Sequence, residues 1–216
     1  MSSAPRLELH IDVFAKPDQV AMALSTLTPN ELIEAILSEF ARDLEYLSEE
    51  SSDYKLVRRD DGTPLQDDLP IQQHVKNGTA LRLIERDLPI PMMANRPSQA
   101  IYLRETSSQR LYKLHWLPAV IGRRDASVAA TSPLLAVDLG SYSNGLRVSR
   151  HHAVISEGER SAHYTIENLA RSNSVVVLCE NKRVTLGQEE RHQLQHGDTI
   201  YLPNSELSFK FIIRDV

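Results

Sequence analysis

Arginine, serine and asparagine side chains occur together in three short polar motifs of the sequence. The motifs are Gly122-Arg123, the Ser-Arg-His-His-Ala run from Ser149 to Ala153, and Ser172-Asn173. An arginine guanidinium is a planar fork of donors, and serine hydroxyls and asparagine amides donate further hydrogen bonds. A phosphate ester carries close to two negative charges and three acceptor oxygens, so a site that binds it needs donors of this kind. The residue types therefore fit the binding of a phosphate group.

Other chemistries have weaker support in the sequence. His151 and His152 are adjacent, so on a strand they point to opposite faces, and no cysteine or carboxylate stands at metal-ligand spacing beside them. Cys179 follows the apolar run from Val175 to Leu178, where a small buried side chain is a commoner explanation than a nucleophile. The chain has no glycine-rich phosphate loop and no Gly-x-Ser-x-Gly motif. We therefore expect no enzyme activity, no cofactor and no metal ion.

The composition is typical of a soluble globular protein. The chain has 216 residues, of which 41% are hydrophobic and 25% are charged, with a formal net charge of −5. Its longest apolar runs are far shorter than the roughly 20 residues that a membrane-spanning helix needs, and residues 1 to 30 contain acids and prolines where a signal peptide is apolar. A single cysteine excludes an internal disulfide and fits a reducing compartment. We expect a cytoplasmic protein without membrane insertion.

A proline-rich segment separates two parts of the chain that differ in charge. Residues 1 to 95 carry 9 basic and 17 acidic side chains, whereas residues 96 to 216 carry 15 and 12. The prolines favour extended backbone, which is typical of a semi-rigid linker, although an edge strand packed along one domain is the alternative. The second part lacks the strongly basic character of a protein that binds nucleic acid. We predict domains at 1–86 and 99–216, a linker at 87–98 and no nucleic-acid partner.

The first part has the element order ββαββ. Alternating apolar residues predict a strand over 7–13, and a second strand over 20–27 follows a turn at Lys16 to Asp18. The sequence Thr28-Pro29-Asn30-Glu31 is a capping box with proline at the first helical position, and it begins an amphipathic helix that is predicted to continue to about Leu47. Strands over 54–58 and 80–85, with a turn at Asp60 to Gly62, complete the order.

This order resembles the ubiquitin-like β-grasp, an α+β fold. The resemblance covers residues 5 to 86 and includes the run from Tyr54 to Leu65, Ile71 and the run from Gly78 to Ile84. A conjugated modifier ends in Gly-Gly, whereas this segment continues through Arg86 into the linker. The resemblance therefore implies a built-in docking or spacer module that contacts a second protein.

Short alternating runs separated by polar turns predict that the second part is an all-β sandwich. The predicted strands cover residues 101–105, 111–114, 119–121, 135–139, 153–156, 164–168, 175–178, 199–202 and 208–213. Between and after these strands lie Gly122-Arg123, the run from Ser149 to Ala153, the run from Asn168 to Ser174, and Gly197-Asp198. Their combination and order resemble the forkhead-associated (FHA) domain over residues 99 to 216. FHA domains are β-sandwiches that bind phosphothreonine peptides through loops at one end.

The FHA resemblance implies a role for each polar residue of the motifs. Arg123 matches an arginine that contacts the phosphopeptide, Ser149 matches a serine that donates to the phosphate, and Arg150 matches a second phosphate contact. Ser172 and Asn173 match the loop that contacts the phosphate and holds the peptide backbone.

Three further positions complete the predicted site. Arg147 lies where some members of the family read the third residue beyond the phosphothreonine, while Gly122 and His152 match residues that brace the site. Ser174 and Val175 replace the usual Gly-Thr, which we expect to restrict that turn or to alter the preference for phosphothreonine over phosphoserine. The long segment 124–147 is interpreted as an insertion, and a specificity loop is the alternative.

These resemblances together predict a phosphothreonine-peptide-binding adaptor. Its FHA domain recruits a phosphorylated partner, such as a Ser/Thr kinase or a kinase substrate, while its ubiquitin-like domain docks another protein. The alternative is a phosphate-independent assembly component that uses both domains as docking surfaces in a secretion or kinase-linked complex. Ubiquitin-like and FHA modules both occur in the bacterial type VII secretion apparatus, and this similarity of domain content motivates that alternative.

Overall fold

The chain divides into two compact units. The computed structural model describes residues 5–124, 133–180 and 182–214. The first unit is Met1–Asp87 and the second is Leu88–Val216, so most of the predicted linker clusters with the second unit. Asn95 forms an isolated antiparallel bridge with Leu117 of that unit. Within the described ranges, no helix is long and apolar enough to cross a bilayer.

The first unit is a four-stranded sheet packed against one helix. Its elements are β1 (Arg6–Val13), β2 (Lys16–Leu24), α1 (Pro29–Phe40), β3 (Tyr54–Arg58) and β4 (Thr79–Glu85). The sheet order is β2-β1-β4-β3, with β1 parallel to β4 and the two outer pairs antiparallel. The helix buries Pro29, Leu32, Ile33, Ile36, Leu37 and Phe40. This arrangement confirms the predicted ubiquitin-like β-grasp.

Two predicted boundaries in the first unit are wrong. The turn between β1 and β2 lies at Phe14 and Ala15, not at Lys16 to Asp18. Phe14 has a φ of 51° and packs edge-on against Tyr46 and Tyr54. Pro17 lies in β2, an edge strand, where its missing N–H can be tolerated.

The helix α1 ends at Phe40, not at about Leu47. Leu44 and Leu47 continue the apolar spacing of the helix, and both are buried. They reach the core through short turns, in which the N–H groups of Asp43 and Leu44 both donate to the Phe40 carbonyl. Four carboxylates follow within residues 43 to 50. Negative charge at a helix C-terminus is unfavourable, so these residues oppose further helix.

The second unit is a sandwich of two sheets in the described part of the chain. Its strands are β5 (Ala100–Glu105), β6 (Leu111–Lys113), β7 (Ala119–Gly122), β8 (Leu135–Asp138), β9 (Ala153–Glu157), β10 (Tyr164–Asn168), β11 (Val175–Cys179), β12 (Lys182–Leu186), β13 (Arg191–Leu194), β14 (Thr199–Leu202) and β15 (Leu207–Arg214). One sheet has the order β13-β10-β9-β7-β8, and the other has the order β12-β11-β14-β15-β5-β6. A continuous apolar core fills the space between them. The predicted all-β sandwich is confirmed.

The strands β12 and β13 are absent from the sequence-based prediction. Both lie at sheet edges and expose at least half of their side chains, so neither carries the apolar alternation of a half-buried strand. Hydrogen bonds to β11 and β10, not their own apolar pattern, define them.

The capping box of α1 gives a test of the first unit. The Thr28 hydroxyl accepts a hydrogen bond from the Glu31 N–H at 3.3 Å, and the Glu31 carboxylate accepts one from the Thr28 N–H at 2.8 Å. We predict that Thr28→Ala lowers the free energy of unfolding by about 1 kcal/mol, because the Glu31 N–H loses its side-chain acceptor. Urea denaturation followed by circular dichroism at 222 nm measures this, with Ser38→Ala on the exposed face of α1 as the control. Equal stability of Thr28→Ala and the wild type would contradict the prediction.

Candidate functional site

Several strand ends bring the sequence motifs to one end of the sandwich. The strands β7, β8, β10 and β14 end there, while β9, β11 and β15 begin there. The loops of residues 139–152, 169–174 and 203–206 form this end together with Gly122 and Arg123, and we call it the loop end. All the predicted site residues lie on these segments. The turn of residues 158–163 joins β9 to β10 at the opposite end of the sandwich.

Gly122 allows two parts of the loop end to approach closely. A Cβ atom at this position would collide with the Arg150 carbonyl. The N–H of Arg123 donates to the Ser149 carbonyl at 3.2 Å, and the N–H of His152 donates to the Ile121 carbonyl at 2.9 Å. The glycine of the Gly-Arg motif is therefore needed for space, and it places Arg123 beside the serine-arginine motif.

Asn168 is the buried anchor of the 169–174 loop. Its side chain has no exposed surface, and its amide nitrogen donates to the carbonyls of Asn173 at 2.9 Å and Leu186 at 3.0 Å. Its amide oxygen accepts the N–H of Ala170 at 3.0 Å. Both amide protons and one acceptor position are therefore used, as is typical of a buried polar group with a structural role.

Asn173 connects that loop to the serine-arginine motif. Its side-chain nitrogen donates to the Arg147 carbonyl at 3.1 Å and to the Ser149 hydroxyl oxygen at 3.0 Å. Its side-chain oxygen accepts a short hydrogen bond from the amide of Asn204. The asparagine amide is thus engaged within the protein, and in this structure it positions Ser149.

His152 supports the same loop from inside the domain. The side chain is 1% exposed, and its Nε2 atom lies 3.4 Å from the Ser174 carbonyl oxygen. Its Nδ1 atom is buried and has no hydrogen-bond partner among the described residues. Burial lowers the pKa of His152 below 6.5, and the hydrogen bond to Ser174 opposes this effect only in part. A neutral imidazole that donates from Nε2 fits this environment.

The arginines of the motifs differ in how firmly they are held. Arg123 is half-buried, and its Nε atom donates to the Val148 carbonyl at 2.9 Å, which fixes the guanidinium against the loop. Arg147, Arg150 and Arg171 are exposed on the loops of the same end. Ser172 is also exposed there, and within the described part of the chain no hydrogen bond joins its side chain to Ser149 or Arg123.

Two polar residues of this end, Asn168 and Asn204, have contacts that the sequence motifs do not predict. Asn168 belongs to the run from Asn168 to Ser174, but the motif alone does not distinguish its structural role from those of its neighbours. Its position at the end of the buried strand β10 is the sequence feature that indicates this role. Asn204 lies in the 3-10 turn Pro203–Ser205, and nothing in the sequence connects it to Asn173.

The cysteine lies far from these motifs along β11 and has a different environment. The Sγ atom of Cys179 is 3.3 Å from Nε2 of His192, in an open groove between the sheet edges. Burial and the neighbouring Asp198 carboxylate raise the pKa of the thiol, which disfavours the reactive thiolate. In the described ranges, no three His, Cys, Asp or Glu side chains are grouped so that they could hold a metal ion.

The buried asparagine gives a direct test of how the loop end is built. We predict that Asn168→Ala lowers the free energy of unfolding of the second unit by about 3 kcal/mol, because three backbone groups lose their partner. Denaturation followed by the fluorescence of Trp116, the single tryptophan, measures this change. Asn144→Ala, at a half-buried position of the 139–152 loop, serves as the control and should cost less than about 1 kcal/mol. A loss of similar size in both variants would contradict the role of Asn168.

The buried histidine predicts a pH dependence of stability. The pKa of His152 is lowered in the folded state, so the unfolded chain binds more protons as the pH falls. Stability is therefore lost as the pH falls below about 6.5 toward the folded-state pKa. We predict that the free energy of unfolding decreases less between pH 7 and pH 5 in His152→Gln than in the wild type, whereas exposed His151→Gln keeps the wild-type slope. Identical slopes in all three proteins would show that His152 does not carry the effect.

Comparisons with known proteins give similarities to parts of the chain. EmbR of Mycobacterium tuberculosis, solved in complex with a low-affinity phosphopeptide, is 29% identical over 55% of this chain and 25% of that chain, with a TM-score of 0.39. This chain therefore spans about a quarter of the length of that EmbR chain. The FHA domain of human APLF, in complex with an XRCC1 bisphospho peptide, is 18% identical over 52% of this chain and 97% of that chain, with a TM-score of 0.37.

The first unit has its own similar structure. A ubiquitin-fold protein from Arabidopsis thaliana is 17% identical over 42% of this chain and 93% of that chain, with a TM-score of 0.32. No curated protein sequence matches the chain.

The sequence of the sandwich also matches a protein family. The model of the FHA domain family matches residues 119–203, which extend from the first residue of β7 to Pro203, the first residue of the turn Pro203–Ser205. This range includes Gly122-Arg123, the serine-arginine motif and the asparagine loop. The second unit of this chain is an FHA domain.

Proposed function

We propose that this chain is an adaptor whose FHA domain binds a phosphothreonine peptide at the loop end. The observation that carries the proposal is the hydrogen bond from Asn173 to Ser149. A serine hydroxyl has one proton to donate and two acceptor positions. Because the Ser149 oxygen accepts the Asn173 amide at 3.0 Å, its own proton remains available to donate to an anion.

The arginines supply the positive charge that such an anion needs. Arg123 is held through Nε, so its two terminal nitrogens keep donors that can form paired hydrogen bonds with phosphate oxygens. Arg147, Arg150 and Arg171 add exposed positive charge on the same loops. A phosphothreonine side chain with nearly two negative charges fits this combination of a fixed arginine, a hydroxyl donor and surrounding cations.

The Ser174-Val175 departure from the family pattern does not strain the loop. Ser174 is not among the described non-glycine residues with positive φ, so its backbone does not need the conformational freedom of glycine. Its carbonyl accepts from His152 in the observed conformation. The observed loop conformation therefore does not require glycine at this position, and we propose that the domain keeps the preference of its family for phosphothreonine.

We further propose that the protein acts by binding and not by catalysis. The raised pKa of the Cys179 thiol supports this part of the proposal. The adaptor recruits a phosphorylated partner, such as a Ser/Thr kinase or a kinase substrate, while the ubiquitin-like unit docks a second protein. A free cysteine is consistent with a reducing compartment such as the cytoplasm.

The proposal is tested with a degenerate phosphothreonine peptide library in fluorescence-polarisation binding. We predict that Ser149→Ala weakens binding by roughly 10- to 100-fold, which is the effect of one lost hydrogen bond to a charged group. Ser143→Ala changes an exposed serine of the same 139–152 loop and should bind like the wild type. Arg123→Ala should also lose binding, while Arg160→Ala removes an exposed arginine at the opposite end of the sandwich and should not.

Two outcomes would contradict the proposal. The first is unchanged affinity in Ser149→Ala and Arg123→Ala when the fold is intact. The second is equal binding of phosphorylated and unphosphorylated libraries by the wild type, which would favour a phosphate-independent assembly component.

A further inference from the structure

The outer strand of the first unit exposes a row of apolar side chains. The strand β2 lies at the edge of the sheet, and in the described part of the chain it pairs only with β1. Its side chains Val20, Met22 and Leu24 are 62%, 54% and 39% exposed. They alternate along the strand, so all three lie on the face opposite to that of the buried Ala23. A long apolar edge strand of this kind is a surface on which another strand can pair.

The backbone groups of the same three residues point to the free edge. In an antiparallel pair, residues that bond to the neighbouring strand alternate with residues that face away from it. The Ser25 N–H donates to the Pro5 carbonyl at 2.9 Å, so the odd-numbered residues of β2 bond to β1. Met22 lies opposite Glu8, whose carbonyl accepts the Gly78 N–H at 2.8 Å on the other side of β1. The even-numbered residues of β2 therefore turn their N–H and C=O groups away from β1.

Only one end of this edge has the features that usually prevent strand pairing. Proline, charged side chains and bulges protect the edge strands of natural proteins. Lys16, Pro17 and Asp18 lie at the start of β2, where the register with β1 shifts and Asp18 has a φ of 52°. The run from Gln19 to Asn30 contains no charged residue. The second half of β2 is thus open to pairing.

The second half of β2 is complementary to itself. Two copies can pair antiparallel about Met22, which then lies opposite Met22 of the second copy, with Val20 opposite Leu24 on either side. Opposed residues share a face of the sheet, so the apolar side chains of both copies form one continuous row. Each opposed pair exchanges two backbone hydrogen bonds, because both copies turn these groups to the edge. The Leu24 carbonyl already accepts the Leu27 N–H at 3.1 Å, and it keeps a second acceptor position.

Other registers fit this edge less well. A shift of one residue opposes the outward-facing backbone groups of one copy to residues of the other copy that bond to β1. A shift of two residues in one direction places the charged Asp18 opposite Leu24. The same shift in the other direction places Val20 opposite Thr26, which lies beyond the end of β2. The register centred on Met22 pairs all three apolar residues with apolar residues.

We propose that β2 pairs with β2 of a second copy of this chain, so that the protein forms a dimer with two FHA domains. The pairing joins two four-stranded sheets into one continuous sheet. A strand of a different protein can use the same backbone groups, but the self-complementary register favours a second copy. The interface consists of one strand from each copy and is small, so the dimer forms reversibly at concentrations of about 1 μM or more.

The first experiment measures the mass of the full chain by sedimentation equilibrium between about 1 μM and 1 mM. We expect the weight-average mass of the wild type to rise with concentration toward twice the mass of the chain. Met22→Lys should weaken association by about tenfold or more, because it opposes two like charges and interrupts the apolar row. Met93→Lys makes the same change at an exposed position outside the first unit and should behave like the wild type. Circular dichroism at 222 nm reports whether each variant folds.

The second experiment tests the register by disulfide crosslinking in a chain that carries Cys179→Ser. Opposed residues that exchange hydrogen bonds have Cα atoms about 5.5 Å apart, which suits a disulfide. Met22→Cys should therefore crosslink two copies under mild oxidation. Leu24→Cys lies on the same edge but should not crosslink, because position 24 of one copy is four residues, or about 13 Å, along the strand from position 24 of the other.

Three results would overturn the inference. A wild type that stays monomeric over the whole range would leave this edge to a strand of a different protein, and association that persists unchanged in folded Met22→Lys would place the contact elsewhere. Equal crosslinking of Met22→Cys and Leu24→Cys would contradict the register. If Met22→Lys does not fold, the two cysteine variants decide. None of these results depends on phosphopeptide binding, so the proposed function is tested separately.

Discussion

The hydrogen bonds that join Asn168, Asn173 and Ser149 determine the geometry of the loop end. Asn168 is fully buried and fixes the carbonyl of Asn173, whose side chain then reaches across to the Ser149 hydroxyl. Each hydrogen bond contributes little to the free energy of folding by itself, but a buried amide without a partner costs considerably more. The group is therefore stable only when all its members are paired. The orientation of the Ser149 hydroxyl follows from this group.

The sandwich makes that hydrogen-bonded group possible. Asn168 ends β10 of one sheet, and its second bond reaches Leu186 at the end of β12 in the other sheet. The apolar core between the sheets keeps water away from the asparagine, and the exposed ends of the loops carry the arginines. A rigid scaffold that positions polar loops at one end is a common solution for recognition sites.

The sequence alone indicates the elements whose physics is local. The capping box at Thr28 and the buried strands both leave patterns in neighbouring residues, and the structure bears them out. Features that depend on distant partners leave no such pattern. The edge strands β12 and β13 are defined by hydrogen bonds to their neighbouring strands, and the end of α1 depends on how Leu44 packs. Asn204 forms its hydrogen bond with Asn173 only in the folded chain.

The coupling between Asn173 and Ser149 in phosphopeptide binding tests the central claim most directly. Calorimetric titration of a phosphothreonine peptide into the wild type, Asn173→Ala, Ser149→Ala and the double variant completes a thermodynamic cycle. If Asn173 acts by orienting the Ser149 hydroxyl, the double variant binds about as weakly as Ser149→Ala alone. If the losses of the two single variants multiply, the residues act independently, and the account of a site positioned by Asn173 is wrong.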